Sequence, residues 1–191
     1  MRGAQMSYSS RLKNKLGFLA ASAGMCAALS GTTVLAAPWR APLGQDSSAL
    51  CGQGSFRFFG FTVYDAELFG RCLPAVFEHP FALRLSYKRD IRREQLVQSS
   101  VDEMQRILGS SVSAGQLSKW RAEMNEAFVD VKDGDSITGV YLPGQGAQFY
   151  INDVLQHTVD DPAFARAFFG IWLDRETRAP GLRASLLGNY P

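Results

Sequence analysis

Hydrophobic positions recur along this chain with two different periods, and the places where the period changes mark its elements. Phe56 to Phe59 and Phe61 to Phe69 are dense in aromatic and β-branched residues, a strand composition, with Gly60 as the breaker between them. Phe81-Ala82-Leu83-Arg84-Leu85-Ser86-Tyr87 alternates apolar with small or polar residues, which predicts a strand with one buried face. The spacing then shifts. Leu96, Val97, Val101, Met104, Ile107 and Leu108 share one stripe of a helix that Asp90 is placed to cap and Gly109 to end. Ser113-Ala114-Gly115-Gln116 reads as a capping box ahead of a second amphipathic helix carrying Leu117, Trp120, Met124 and Phe128. Asp133-Gly134-Asp135, Pro143-Gly144-Gln145-Gly146 and Asn152-Asp153 are turn signals that cut the next stretch into strands at Ile137 to Leu142, Ala147 to Ile151 and Val154 to Val159. Asp160-Asp161-Pro162 opens a third helix with Phe164, Phe168, Phe169 and Trp172, and a short helix from Pro180 to Leu187 is closed by Gly188.

Strands, two helices, a meander of three strands and further helices make an α+β fold. An antiparallel sheet is covered by a layer of helices on one face, and there is no βαβ alternation that would call for a parallel sheet. The 191 residues are 46% apolar and 20% charged, a globular composition that predicts one domain.

Charge divides the chain. Residues 1–36 hold Arg2, Arg11, Lys13 and Lys15 and no acidic residue, so the formal charge of +2 belongs to them; beyond them 16 basic side chains face 18 acidic ones. No polyanion footprint remains, which excludes a nucleic-acid partner. The basic start, the uncharged run from Leu16 to Ala37 and Val34-Leu35-Ala36 read as a signal peptide cleaved after Ala36, with an uncleaved anchor as the alternative. Met25 before Cys26 does not fit a lipid-anchored leader. The expected layout is a signal peptide (1–36), a flexible Pro-, Gly- and Ser-rich arm (37–50) and a folded domain (51–191). Its destination is periplasmic or secreted, with membrane contact only through the leader during export.

Export leaves Cys51 and Cys72 as an even pair in an oxidising compartment, which points to a disulfide, with two separate buried thiols as the alternative. A straight strand would hold the two about 70 Å apart, whereas a bridge needs Cα atoms within about 7 Å. The chain must therefore reverse between them. Gly60 is where it does so, unless that glycine marks a bulge.

The usual constellations of catalysis are missing. There is no G-x-S-x-G, phosphate loop, dinucleotide fingerprint or H-E-x-x-H, and His79 and His157 stand alone, so no metal site and no cofactor is expected. Lys88-Arg89-Asp90-Ile91-Arg92-Arg93-Glu94 reads as a solvated corner between strand and helix, and the Phe164, Phe168, Trp172 stripe reads as core. What remains is a cavity between sheet and helices for a small hydrophobic or amphipathic ligand, with Arg57, Tyr64, Tyr87 and Tyr141 as polar handles and Trp120 in its lining. An arginine in an apolar strand either points to solvent or waits for an acid.

Together these stretches resemble the chalcone isomerase-like domain of exported bacterial proteins. The resemblance is carried by Gly52-Gln53-Gly54-Ser55-Phe56-Arg57-Phe58-Phe59-Gly60-Phe61-Thr62-Val63-Tyr64-Asp65-Ala66-Glu67-Leu68 and by Leu83-Arg84-Leu85-Ser86-Tyr87-Lys88-Arg89-Asp90-Ile91. Asp130-Val131-Lys132-Asp133-Gly134-Asp135, Tyr141-Leu142-Pro143-Gly144-Gln145-Gly146 and Ile171-Trp172-Leu173 with Leu186-Leu187-Gly188 complete it, over about residues 50 to 188. It implies an open-faced β-sandwich with a ligand cleft between sheet and helices. Enzymatic members of the family close the flavanone ring by adding a phenolate to an enone, using an Arg on the first long strand with Thr and Tyr hydroxyls. Other members bind fatty acids, their Arg and Tyr taking the carboxylate.

This chain departs from the enzyme pattern at three positions. The Arg expected two residues after the second Gly is Phe56, with Arg57 one place later, and in a strand that offset changes faces unless a bulge restores it. Gln95-Leu96-Val97 lacks the Tyr that opens the following helix, and Phe59 stands where the first-strand Thr is expected. The resulting expectation is a non-catalytic module binding a hydrophobic or fatty-acid-like molecule. The alternative is an isomerase, an intramolecular lyase with Arg57 and Tyr64 or Tyr87 as electrophilic groups.

Overall fold

A computed structural model of the chain describes residues 37–44 and 49–188. The expected leader, its cleavage after Ala36 and Cys26 lie outside those residues. The alternating segments form strands β1 (Ala49–Phe58), β2 (Phe61–Gly70), β3 (Phe81–Tyr87), β4 (Ser136–Leu142), β5 (Gly146–Ile151) and β6 (Val154–Val159). These pair antiparallel in sequence order, so the expected three-stranded meander is the second half of one continuous six-stranded sheet. Helices α1 (Arg93–Leu108), α2 (Ala114–Ala127), α3 (Pro162–Leu173) and α4 (Pro180–Leu186) supply the other half of the core.

Side chains of every second strand residue meet the helices. Ala66, Leu68, Leu83, Leu85, Tyr87, Ile137 and Phe149 pack there with Val97, Val101 and Met104 of α1, Leu117, Trp120 and Met124 of α2, and the aromatic stripe of α3. The caps agree with the residues at α2 and α3. Ser113 accepts from the Gln116 amide at 3.1 Å, and Asp161 accepts from the amides of Ala163 and Phe164, both at 2.9 Å. The box at Ser113 is only half closed, because the Gln116 amide group reaches to Asp161 instead.

Asp90 does not cap α1. Ile91 and Val131 exchange two backbone hydrogen bonds, which holds residue 91 extended and delays the helix until Arg93. Asp90 accepts instead from the Asp133 amide at 3.1 Å, bracing the turn that precedes β4, and the first amide of α1 is taken by Asp130 at 2.8 Å.

The expected loose arm is packed over Pro38–Leu43. This 3-10 segment buries Trp39 and Leu43 against Phe69, Ala82, Val140 and Tyr150 on the sheet face away from the helices. The Trp39 indole N–H needs an acceptor once buried and finds the Asp153 carboxylate at 2.9 Å, where Arg84 also binds. Part of the open face is therefore closed.

Gly60 is a hairpin turn and not a bulge. Phe59 and Gly60 both have positive φ (47° and 84°) between the paired residues Phe58 and Phe61, the two-residue turn whose twist suits a hairpin. The reversal brings Cys72, just past β2, to Cys51, the extra residue in a bulge of β1, and the two form a disulfide with Cα atoms 4.9 Å apart. Gly52 and Gly54, on the helix-facing side of β1, let α4 lie against bare backbone. A Cβ at Gly52 would meet the carbonyl oxygens of Ser185 and Leu186, and one at Gly54 would come within 2.8 Å of Leu182. Gly52→Ala is expected to cost about 1–3 kcal/mol by forcing α4 off the strand. Denaturant unfolding checks it, since an unchanged midpoint would mean that α4 does not rest there.

Candidate functional site

The five residues singled out as a ligand lining fall in four places. Arg57 is exposed. The bulge that interrupts the β1–β2 register is on β2, at Val63, so β1 keeps its alternation from Gly52 to Phe58. Phe56 therefore turns toward the helices and Arg57 toward the opposite face, where its charge helps hold the Asp65 carboxyl below its ordinary range, after the larger effects of the Ser55 hydroxyl and Lys88.

Tyr64 and Tyr87 are neighbours on the helix-facing side. Their register pairs them across β2 and β3, and their rings stand edge to face at 5.9 Å. Phe56, in the position where the enzyme pattern has Arg, stacks on Tyr64 at 5.2 Å. Trp172 of α3 donates its indole N–H to the Tyr64 hydroxyl at 2.9 Å. An indole has no acceptor nitrogen, so the Tyr64 oxygen is the acceptor in this bond and its own proton is directed elsewhere. None of the hydrogen bonds among the described residues uses the hydroxyl of Tyr87, which is buried. Burial holds Tyr64 up at about 12, against a smaller opposing effect of the Trp172 bond, and burial together with the Tyr64 phenol pushes Tyr87 higher still. Both phenols stay protonated throughout the neutral range and face the interior as hydrogen-bond donors.

Tyr141 is elsewhere. It stacks on Phe81 at 4.9 Å in a ring cluster with Phe77 and Phe169, while Arg166 of α3 lies 3.6 Å over the Phe77 ring. Trp120 has a structural bond, its indole donating to Asp161 at 3.0 Å and tying α2 to the start of α3. His157 pairs with Glu123 at 2.8 Å.

The cavity expected under the helices is filled. Phe149, Phe164, Phe168 and Phe169 contact one another edge to face or stacked at 5.1–6.1 Å, and Met104 and Met124 are buried beside them. Hollows among the described residues lie at the surface, and two stand out. One of about 20 Å³, room for a single water, is beside the disulfide at Leu68, His79 and Phe81. The other, about 570 Å³ and open, runs along α1 and α2 between Gln95, Gln98, Arg121 and Asn125. Neither is lined by Tyr64 or Tyr87. The pair comes nearest the surface at the edge where Phe56 and Tyr64 are only partly buried.

Trp172 and Phe56 are the members of this site that residue patterns did not single out. A buried indole requires an acceptor, which is the signal that Trp172 is more than core, although the partner is 108 residues away.

Comparison with known proteins bears on most of the chain. Residues 35–188 match the sequence profile described as chalcone isomerase-like. An uncharacterized protein of Haemophilus influenzae is 30% identical over 112 residues, 58% of this chain and 53% of its own length, so the chain spans about half of the curated relative it matches. Among solved structures, a fatty-acid binding protein of Arabidopsis thaliana superposes with a TM-score of 0.58 at 16% identity, covering 75% of this chain and 88% of the plant protein, which shows a shared fold.

The raised phenols set an alkaline prediction. A group whose folded pKa lies above its unfolded value contributes stability that is complete below about 10 and is lost as pH rises through about 12. Phenolate absorbance is expected to lag unfolding-exposed tyrosine over that window, and Trp172→Phe, which removes the bond favouring the phenolate, is expected to delay Tyr64 further. Titration of Tyr64 near 10 in the folded protein would contradict the burial.

Proposed function

The chain belongs to the chalcone isomerase-like family, and we propose that it is a non-catalytic member that holds a small hydrophobic or fatty-acid-like molecule between sheet and helices. The observation that carries this reading is the separation of Arg57 from Tyr64 and Tyr87 onto opposite faces of the sheet. Electrophilic catalysis of ring closure needs a cation and hydroxyl donors converging on one carbonyl oxygen. Here the inward position holds Phe56, which has no charge to offer. Two protonated phenols in an apolar setting are instead suited to a carboxyl or carbonyl head group, the free Tyr64 proton and the Tyr87 hydroxyl donating to its oxygens. The Arabidopsis thaliana neighbour, itself a fatty-acid binding protein, supports the ligand class.

An acyl tail takes the space between α1, α2 and the sheet that Met104, Met124 and the partly buried Leu96 now fill. Unbranched thioether side chains re-pack at little cost, which makes this the deformable part of the core. We place the protein outside the cytoplasm. The basic, then uncharged, leader pattern and the Cys51–Cys72 bridge support that location. The packed interior favours one competing reading, a family member whose cleft is closed by its own side chains and which binds nothing there.

The test is displacement of a fluorescent fatty acid, with native mass spectrometry of the purified protein for a retained acid. Tyr64→Phe is expected to weaken binding about tenfold, the loss of one hydrogen bond in an apolar site, while Arg57→Ala leaves it unchanged. Loss of binding in Arg57→Ala, or turnover of a chalcone, would overturn the proposal. Absence of any binding would favour the closed cleft.

A further inference from the structure

The tip of the β1–β2 hairpin has a composition that neither folding nor the proposed site explains. Phe58, Phe59 and Phe61 are 57%, 85% and 70% exposed, three large rings in four residues with only Gly60 among them. Phe59 occupies the first position of a turn with φ of 47°, a conformation that favours Asn, Asp or Gly over an aromatic residue. A ring is thus kept in water at a position where a polar residue would both fit the backbone and be soluble.

Basic side chains outnumber acidic ones near the tip. From Ala49 to Tyr64 the sole charged side chain is Arg57, and it is exposed. The end of β3 runs beside the same hairpin end, the Lys88 amide donating to the Val63 carbonyl at 2.9 Å, which adds exposed Lys88 and Arg89. Asp65 on β2 accepts from the Ser55 hydroxyl at 2.6 Å and pairs with Lys88 at 3.1 Å, so Arg57 and Arg89, the latter followed by exposed Asp90, carry the basic balance.

We propose that this tip docks the protein on an anionic lipid bilayer, the three phenylalanines entering the boundary between head groups and acyl chains while Arg57 and Arg89 lie at the level of the phosphates. A two-strand tip is too narrow to supply the roughly 800 Å² per partner of a specific protein interface. A bilayer boundary accepts exposed rings without shape complementarity and draws basic residues beside them. Among the described residues no helix is long and apolar enough to cross a membrane, so attachment through this region is peripheral. It differs from the sequence-based expectation of membrane contact only through the leader. The tip adjoins the partly buried edge of the proposed site, since Phe56 and Tyr64 are the next helix-facing pair along the hairpin, yet docking does not rest on ligand binding.

The test uses the full chain with vesicles of phosphatidylcholine alone and mixed equally with phosphatidylglycerol. Sedimentation is expected to show tighter binding to the anionic vesicles, about tenfold or more weaker for Phe58→Ser/Phe59→Ser/Phe61→Ser, and unchanged for Leu73→Ser, an exposed apolar side chain beyond the opposite end of β2. Phe59→Trp adds an indole to a chain whose Trp39, Trp120 and Trp172 are buried, and brominated acyl chains are expected to quench the added emission. The proposal is overturned if the triple variant binds like the parent, if the added indole is not quenched, or if the triple variant instead abolishes a concentration-dependent dimer, which would assign the tip to a second copy. An unchanged melting temperature of the triple variant confirms that a loss of binding is not a loss of fold.

Discussion

A pleated strand sends successive side chains to opposite faces, and on β1 that alternation decides what chemistry the molecule has. Had the bulge between Phe56 and Arg57 fallen on β1, the guanidinium would have turned under the helices beside two tyrosines. It falls on β2, at Val63, so the cation stays outside and a phenyl ring takes the inward place. The polar interior at this end of the sheet is then made of neutral donors. Tyr64 and Tyr87 are kept protonated by their burial, and Trp172 fixes which way the Tyr64 hydroxyl is used.

The same constraint orders the rest of the fold. Gly52 and Gly54 share the inward face of β1 with Phe56, and their missing side chains admit α4 to direct contact with the strand. The outward face carries Phe69, Ala82, Val140 and Tyr150, which the Pro38–Leu43 segment covers with Trp39. A sheet described as open is thus open only in part, and its most exposed rings stand at the Phe58–Phe61 tip. Membership of the chalcone isomerase-like family accounts for the architecture, while the chemistry of this member follows from its own residues.

Much of this was legible in sequence because its determinants are local. The stripes of α1 and α2, the Asp161 and Pro162 start of α3 and the Asn152-Asp153 turn, whose residues have φ of 47° and 67°, each depend on a few neighbouring residues. The one-residue offset of Arg57 also foretold its exposure, and the need for a chain reversal located the hairpin that brings Cys51 to Cys72. What escaped is what depends on distant partners. Asp90 looks like a cap until Val131, forty residues on, holds Ile91 extended. Pro38–Leu43 has the composition of a loop, and only the docking of Trp39 against Phe69 and its bond to Asp153 make it part of the core. The expected cavity failed for a related reason, because periodicity says which residues face inward but not whether their volumes fill the space between the layers.

A structure of the protein with a long-chain fatty acid bound tests the central claim most directly. The account predicts the carboxyl group within hydrogen-bonding distance of the Tyr64 and Tyr87 hydroxyls, the tail under α1 and α2, and the Arg57 guanidinium still in solvent on the far face. A carboxyl held by Arg57, or an acid bound only on the outer surface with the ring packing undisturbed, would contradict it.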